Sequence, residues 1–242
     1  MSLKLYILAL AFLKANMPIV DVGVLTPAFL KENTHLACHV MDEVPWGKDI
    51  PQDIFLNYIL PYASVNERRD SWREDFHHRF IKIAIRQKTI DQAAIVLNRY
   101  VFKVFHVSYN LSKRSKPDQS PYETIQSHYA SCTGLSILLI DALRSVGIPA
   151  RLVATPMWAD NSGNHTWVEI WDEGKWHYLG ADESNQLDHA WFTDKAAHAD
   201  RQHPIYAVSF KKTPTVFPMR WAEDITYISA IDVTDSYCHS KS

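Results

Sequence analysis

Between residues 132 and 179 the spacing of apolar side chains changes period, and that change limits what the chain can fold into. Leu135, Leu138, Leu139, Ala142, Leu143 and Val146 recur at three- and four-residue steps, which gives one apolar face of a helix. Gly147-Ile-Pro ends that helix, because glycine accepts the backbone of a helix terminus and proline cannot continue it. Residues 151–155 then alternate as a strand does, and Pro156 stops them. A polar connection over 158–163 leads to a second alternating run, His165-Thr-Trp-Val-Glu-Ile-Trp, rich in β-branched and aromatic residues. His165, Trp167, Glu169 and Trp171 fall on one face of this strand, and Thr166, Val168 and Ile170 on the other. Asp172-Glu-Gly-Lys reads as a turn, so residues 175–179 should pair antiparallel with 165–171. That hairpin places 180–183 beside His165.

Three residue types that share one chemistry are distributed along this segment. Cys132 lies at the first turn of the helix, where unpaired N–H groups and the positive end of the dipole stabilise a thiolate. Such positions lower a cysteine pKa from ~8.5 towards ~3.5–7.5, and the same N–H groups can hold an oxyanion. The plainer reading is a buried cysteine that happens to start a helix. His165 at the start of the strand is the candidate base. Asp182 and Glu183 are the candidate acids that would orient it, with no choice between them.

The segment resembles the transglutaminase-like superfamily of papain-like cysteine enzymes. The resemblance rests on Cys132 opening a helix, on Gly147-Ile-Pro-Ala-Arg151 leading into a strand, on His165-Thr-Trp-Val-Glu169, and on Trp176 in the next strand. Residues 44–51 and 55–62 resemble, more loosely, the leader of a bacterial branch of the family. The resemblance implies acyl-transfer chemistry at Cys132 with His165 as base. It also exposes a departure: the family's acid usually stands four residues after the tryptophan, which here is Gly180. Asp182 keeps the strand parity of Gly180, and Glu183 has the longer reach if the chain turns there. Without an acid, a Cys–His dyad or an inactive relative would remain.

Upstream the signals are helical. Residues 5–13 are apolar behind Lys4, too short to span a bilayer, and read as an amphipathic or buried helix ending at Asn16-Met-Pro. An export signal trimmed from this end would leave the same trace, so the compartment stays open. Thr26-Pro27 starts a helix that runs to about Glu43, and 51–60 is a shorter one. Asp70 is the expected cap of a helix carrying Trp72, Phe76, Phe80 and Ile83, and Thr89 or Asp91 begins another. Residues 113–119 are polar and read as a loop, while 206–210 and 225–233 read as further strands. Helices followed by strands indicate α+β. The expected architecture is a papain-like, transglutaminase-like core over 120–235, with the nucleophile helix packed on an antiparallel sheet, preceded by a helical lobe over 4–119.

Forty-seven percent hydrophobic residues in 242 supply ample core, and a net charge of −2 gives no sign of a nucleic-acid partner. Cys38, Cys132 and Cys238 make no disulfide framework, although Cys38 and Cys238 could pair in an exported protein. The pattern of ligating residues predicts no metal site and no cofactor, and no acidic loop suggests the calcium dependence of some animal members of the family. Trp158 and Trp191 sit in connections and, with Asn164 and Tyr129, are candidates for binding substrate. Trp46 would cap the cleft or anchor the helical lobe. Gln126, six residues before Cys132, is a weak candidate for an oxyanion donor. The expected function is a cysteine-dependent acyl-transfer enzyme acting on amide or peptide bonds, with a peptide, protein or cell-wall-type substrate and hydrolysis favoured. The alternatives are a non-catalytic binding module of the same fold and a true crosslinking transglutaminase.

Overall fold

The computed structural model describes residues 3–183 and 185–238. Five helices come first: α1 (Leu3–Asn16), α2 (Pro27–Glu43), α3 (Gln52–Tyr58), α4 (Arg73–Ala84) and α5 (Ile90–Phe105), with a single 3-10 turn at Ile19–Asp21. Thr26 caps α2 by accepting the Phe29 N–H at 3.1 Å. Asp70 does not cap α4, which starts after Trp72. Its carboxylate is taken by Arg68 and by the backbone N–H of Tyr122, 52 residues on.

A short strand β1 (Ser108–Tyr109) follows α5, then α6 (Pro121–Ser127) and β2 (Tyr129–Ala130), which pairs parallel with β1. Helix α6 carries a full capping box: Ser120 accepts from the Glu123 N–H, and Glu123 accepts from the Ser120 N–H at 2.8 Å. Helix α7 (Cys132–Ser145) comes next, capped by Ser131, followed by β3 (Ala150–Thr155), β4 (His165–Asp172) and β5 (Lys175–Leu179). The chain closes with α8 (Thr193–Ala197), β6 (Tyr206–Ser209), β7 (Thr215–Val216), β8 (Ser229–Asp232) and α9 (Thr234–Tyr237). Six strands form one sheet in the order β5-β4-β3-β6-β8-β7, with every pair antiparallel. The fold is therefore α+β, with the helix that starts at Cys132 packed on an antiparallel sheet. Strand β7 was not foreseen, and the strand expected over 225–233 is confined to β8.

Alternation along the strands assigns the sheet's two faces. Ala150, Leu152, Ala154, Val168 and Ile170 join α7 and the N-terminal helices in one continuous core. Val153, Trp167 and Ala207 face the other way, into a smaller cluster with Trp158, Phe192 and Tyr237. Two buried arginines tie α7 to the helices before it. Arg73 bonds the carbonyls of Ile59, Leu60, Pro61 and Arg144, and Arg144 bonds those of Tyr58, Ala63 and Ala150. Trp46 donates its indole N–H to Gly147 at 3.0 Å, at the far end of α7 from Cys132, so it anchors the lobe and does not cap the cleft. Among the described residues no helix is long and apolar enough to cross a membrane.

Candidate active site

Cys132 is the first residue of α7, half-buried, with Ser131 as its N-cap. Its sulfur lies in hydrogen-bonding reach of four donors: the backbone N–H groups and the hydroxyls of Thr133 and Thr166. The two hydroxyls also meet each other at 3.2 Å across the α7–β4 contact. Burial nevertheless outweighs these donors and raises the thiol pKa above its ordinary value. The helix N-terminus thus lowers the cost of a thiolate here without making it the resting state, contrary to the depressed pKa expected from position alone.

Thr166 directly follows His165, so the thiol sits against the backbone beside the histidine. Successive strand residues point to opposite faces. Thr166 turns towards α7, and the His165 ring turns into the aromatic cluster, 4.8 Å from the Trp191 ring, 4.9 Å from Phe192 and 5.9 Å from Trp167. The ring is 7% exposed, and its Nε2 is buried with no hydrogen-bond partner. No hydrogen bond joins it to Cys132. Burial lowers its pKa from 6.5 to about 4, so the imidazole rests neutral.

The turn after β5 explains the missing acid. β5 pairs with β4 through Val168↔Leu179 and Glu169↔Tyr178, so Gly180 has the parity of Tyr178 and of the His165 face. A Cβ at Gly180 would lie 2.3 Å from Glu183 Oε2. The Glu183 carboxylate therefore occupies the space in which a side chain at 180 would begin, and it would have to shift for any residue other than glycine. The Trp191 indole N–H lies in hydrogen-bonding reach of that carboxylate, and the Trp191 ring stands edge-on against His165. Desolvation raises the Glu183 carboxyl, and neighbouring Asp182 adds to the rise. Asp182 is exposed, has a left-handed backbone (φ 65°), and has its N–H held by Asn98 Oδ1 at 2.9 Å.

Of the proposed binding residues, Trp191 is 57% exposed and forms the rim beside His165. Trp158 is only 3% exposed, stacked on Trp167, because the connection carrying it folds back onto the sheet. It still lines a groove of about 440 Å³ shared with Asp160, Asp194, Lys195 and His198. Tyr129 is half-buried, and its carbonyl is held by Gln119 and Ser127. Asn164 is exposed just before His165. Gln126 is exposed on α6, whereas the neighbouring Gln119 is fully buried. Gln119 donates to the Tyr129 carbonyl, three residues before Cys132, so it fixes the chain that leads into α7.

Three further residues were given no role by the sequence. Asn98, fully buried on α5, clamps the 180–182 turn at both ends, donating to Gly180 O at 2.9 Å and accepting from Asp182 N. Arg151 pairs with Glu169 at 2.6 Å inside the protein and stacks on Trp176 at 3.7 Å, which locks the three strands behind His165. Tyr109 stands opposite Ala130 in β1–β2 and is 55% exposed. Burial, Cys132 and Glu183 push its phenol up and Arg114 pulls it down, so its hydroxyl senses both rims of the site. Among the described residues no group of three or more side chains is placed to hold a metal ion, and all three cysteines are free.

Residues 82–181, which contain Cys132, His165 and the hairpin, match the model of the transglutaminase-like superfamily. These residues resemble a transglutaminase-like core. Solved structures similar to it include a protein from Cytophaga hutchinsonii described as a candidate cysteine protease, 17% identical with a TM-score of 0.47, covering 78% of this chain and 54% of that one. A candidate protease from Parabacteroides distasonis is 12% identical with a TM-score of 0.38, over 75% of this chain and 30% of that one. Calcium-bound LapG of Legionella pneumophila is 16% identical with a TM-score of 0.30, over 46% and 75%. The chain thus spans about half the length of the Cytophaga protein. No curated protein matches the sequence.

Proposed function

We propose that the transglutaminase-like core is a cysteine-dependent acyl-transfer enzyme that hydrolyses amide or peptide bonds through a thioester. The observation that carries this reading is the placement of the Cys132 sulfur, at the N-terminus of α7 and against the backbone of the residue that follows His165. In the first half-reaction the sulfur attacks the acyl carbon, and the first-turn N–H groups of α7 face the oxyanion. The thiol proton passes to His165, whose imidazole must turn from the aromatic cluster towards the strand edge, and then to the leaving amine. Both acids are exposed, and Glu183 fits the orienting role better than Asp182 because its carboxylate lies where a side chain at Gly180 would begin and beside the Trp191 indole N–H.

Both partners rest neutral, so this is general-base activation of a thiol and not a preformed ion pair. Water then resolves the thioester, and the open rim at Trp191 admits it. The substrate is a peptide, a protein or a cell-wall-type amide. The division of labour follows the chain: residues 120–235 supply the nucleophile, base and acid, and residues 4–119 supply Asn98 and Tyr109 around them. A second reading, a binding module, draws on the unpartnered Nε2 of His165 and the raised thiol pKa.

Incubation with a peptide and cell-wall-fragment panel, with and without a tagged primary amine, separates the readings. Cleavage that is lost in Cys132→Ala and leaves the amine unincorporated supports hydrolysis. Amine incorporation points to a crosslinking enzyme, and inertness towards the whole panel favours the binding module.

A further inference from the structure

The polar loop between β1 and α6 is fixed to the site at both ends. Asn110 N donates to Ala130 O at 2.9 Å, and Ser131 Oγ donates to Pro117 O at 2.7 Å, so the loop is fastened to the two residues just before Cys132. Within it, Asn110 Oδ1 accepts the N–H groups of Ser112 and Lys113, both at 3.0 Å, which fixes the turn that presents the basic residues. Three cations follow in four residues: Lys113, Arg114 and Lys116.

Only one of the three is neutralised nearby. Lys116 pairs with Glu123 at 3.1 Å. The Lys113 ammonium lies 4.8 Å from the centre of the Tyr129 ring. Arg114 is half-buried, yet it has no hydrogen bond or ion pair with any described residue. A guanidinium held partly out of water without a carboxylate partner is an anion receptor in waiting. Its charge reaches the Tyr109 hydroxyl, which also senses Cys132. Glu183 acts on the same Tyr109 hydroxyl from the turn after β5. That hydroxyl therefore lies between a cation of the 113–116 loop and a carboxylate of the turn that carries Asp182 and Glu183.

We propose that this rim selects an acyl donor bearing a free carboxylate a few bonds from the scissile amide, with Arg114 and Lys113 binding that carboxylate and the leaving amine lying towards Asp182 and Glu183. The inference rests on Cys132 being the nucleophile. The chemistry fits an acidic peptide, or an amide whose acyl half keeps a carboxylate of its own. A neutral acyl donor would leave Arg114 without a partner in the complex as well.

The test needs no substrate. Iodoacetate and iodoacetamide both alkylate a thiol, the sulfur forming a bond to carbon as iodide leaves and the thiol proton passes to base, and they differ in one carboxylate. The rates of Cys132 modification by the two reagents are measured by peptide mapping on the full chain at low salt and divided by the ratio for a free small thiol. Two cations on the loop fastened to Ala130 and Ser131 should raise this normalised iodoacetate preference about five-fold, and salt should erase the gain. Arg114→Gln with Lys113→Gln should return it to one, and Arg114→Lys should retain part of it. Circular dichroism checks that these loop variants stay folded. A normalised ratio near one in the wild type, or a raised ratio that survives loss of both cations, overturns the inference. Failure of the nucleophile reading shows separately, in the iodoacetamide rate alone: if Cys132 reacts no faster than Cys38 and Cys238, that reading falls and the inference falls with it.

Discussion

Replacing His165 by phenylalanine should make the protein more resistant to acid. The imidazole is almost fully enclosed by Trp167, Trp191 and Phe192, and its pKa falls from 6.5 to about 4 on folding. The unfolded chain therefore binds a proton at this residue as pH drops through 6.5, while the folded chain does not until about 4. Protons bound only by the unfolded state drive unfolding, so the stability associated with a neutral His165 is complete above 6.5 and is lost as pH falls towards 4. Two and a half pH units at about 1.36 kcal/mol each amount to about 3 kcal/mol. Phenylalanine suits the aromatic surroundings and carries no proton. Urea unfolding of both proteins at half-unit steps from pH 7.5 to 4 gives a difference curve in which all other titrating groups cancel. The variant should gain about 3 kcal/mol on the wild type across that window, whatever its offset at pH 7.5. Parallel curves would show that His165 titrates as it does in the unfolded chain, and so is not enclosed as described.

Gly180→Ala would drive a methyl into Glu183 Oε2 and should slow Cys132 alkylation on the order of 10–10³-fold, with circular dichroism unchanged. In the same assay, Gly180→Asp combined with Glu183→Ala should recover much of what Glu183→Ala alone loses, because the acid returns to the strand. Arg151→Met leaves Glu169 buried without its cation and should cost about 3–5 kcal/mol in urea unfolding, whereas Arg151→Met with Glu169→Leu should cost far less. Asn98→Ala releases the Gly180 carbonyl and the Asp182 N–H and should cost about 1–3 kcal/mol, with faster amide exchange in the turn after β5.

The sequence made the hairpin and α7 legible because their information is local. A helix that buries one face and strands that bury alternate residues write their periods into consecutive positions, and the register Val168↔Leu179 follows from the Asp172–Lys175 turn. The capping box Ser120-Pro-Tyr-Glu123 was equally local, and it is the one signal that could have shown α6 in advance. The arrangement of the two candidate acids was not legible, since it depends on a chain reversal that brings the Glu183 side chain against Gly180. Asn98, Gln119 and Tyr109 are ordinary residues in sequence and gain their roles only when α5, the α6 region and β1 close around the site. Trp158 is a mixed case: the connection that carries it folds inward and stacks it on Trp167, yet it still lines a groove with Asp160 and Lys195. Helix-terminus reasoning likewise overstated the acidity of Cys132, because it counted the donors and not the desolvation.

The central claim is that Cys132 is a nucleophile activated by His165, with Glu183 holding the ring. Its most direct test is the rate of iodoacetamide modification of each cysteine between pH 4 and 9, in the wild type, His165→Gln, Glu183→Gln and Asp182→Asn. Cys132 should react faster than Cys38 and Cys238 at neutral pH. A neutral imidazole acting as base should keep that advantage down to about pH 4, where His165 finally protonates. His165→Gln should abolish the advantage, Glu183→Gln should weaken it, and Asp182→Asn should leave it nearly intact. Slow labelling of all three cysteines alike, or a Cys132 rate indifferent to His165, would contradict the claim.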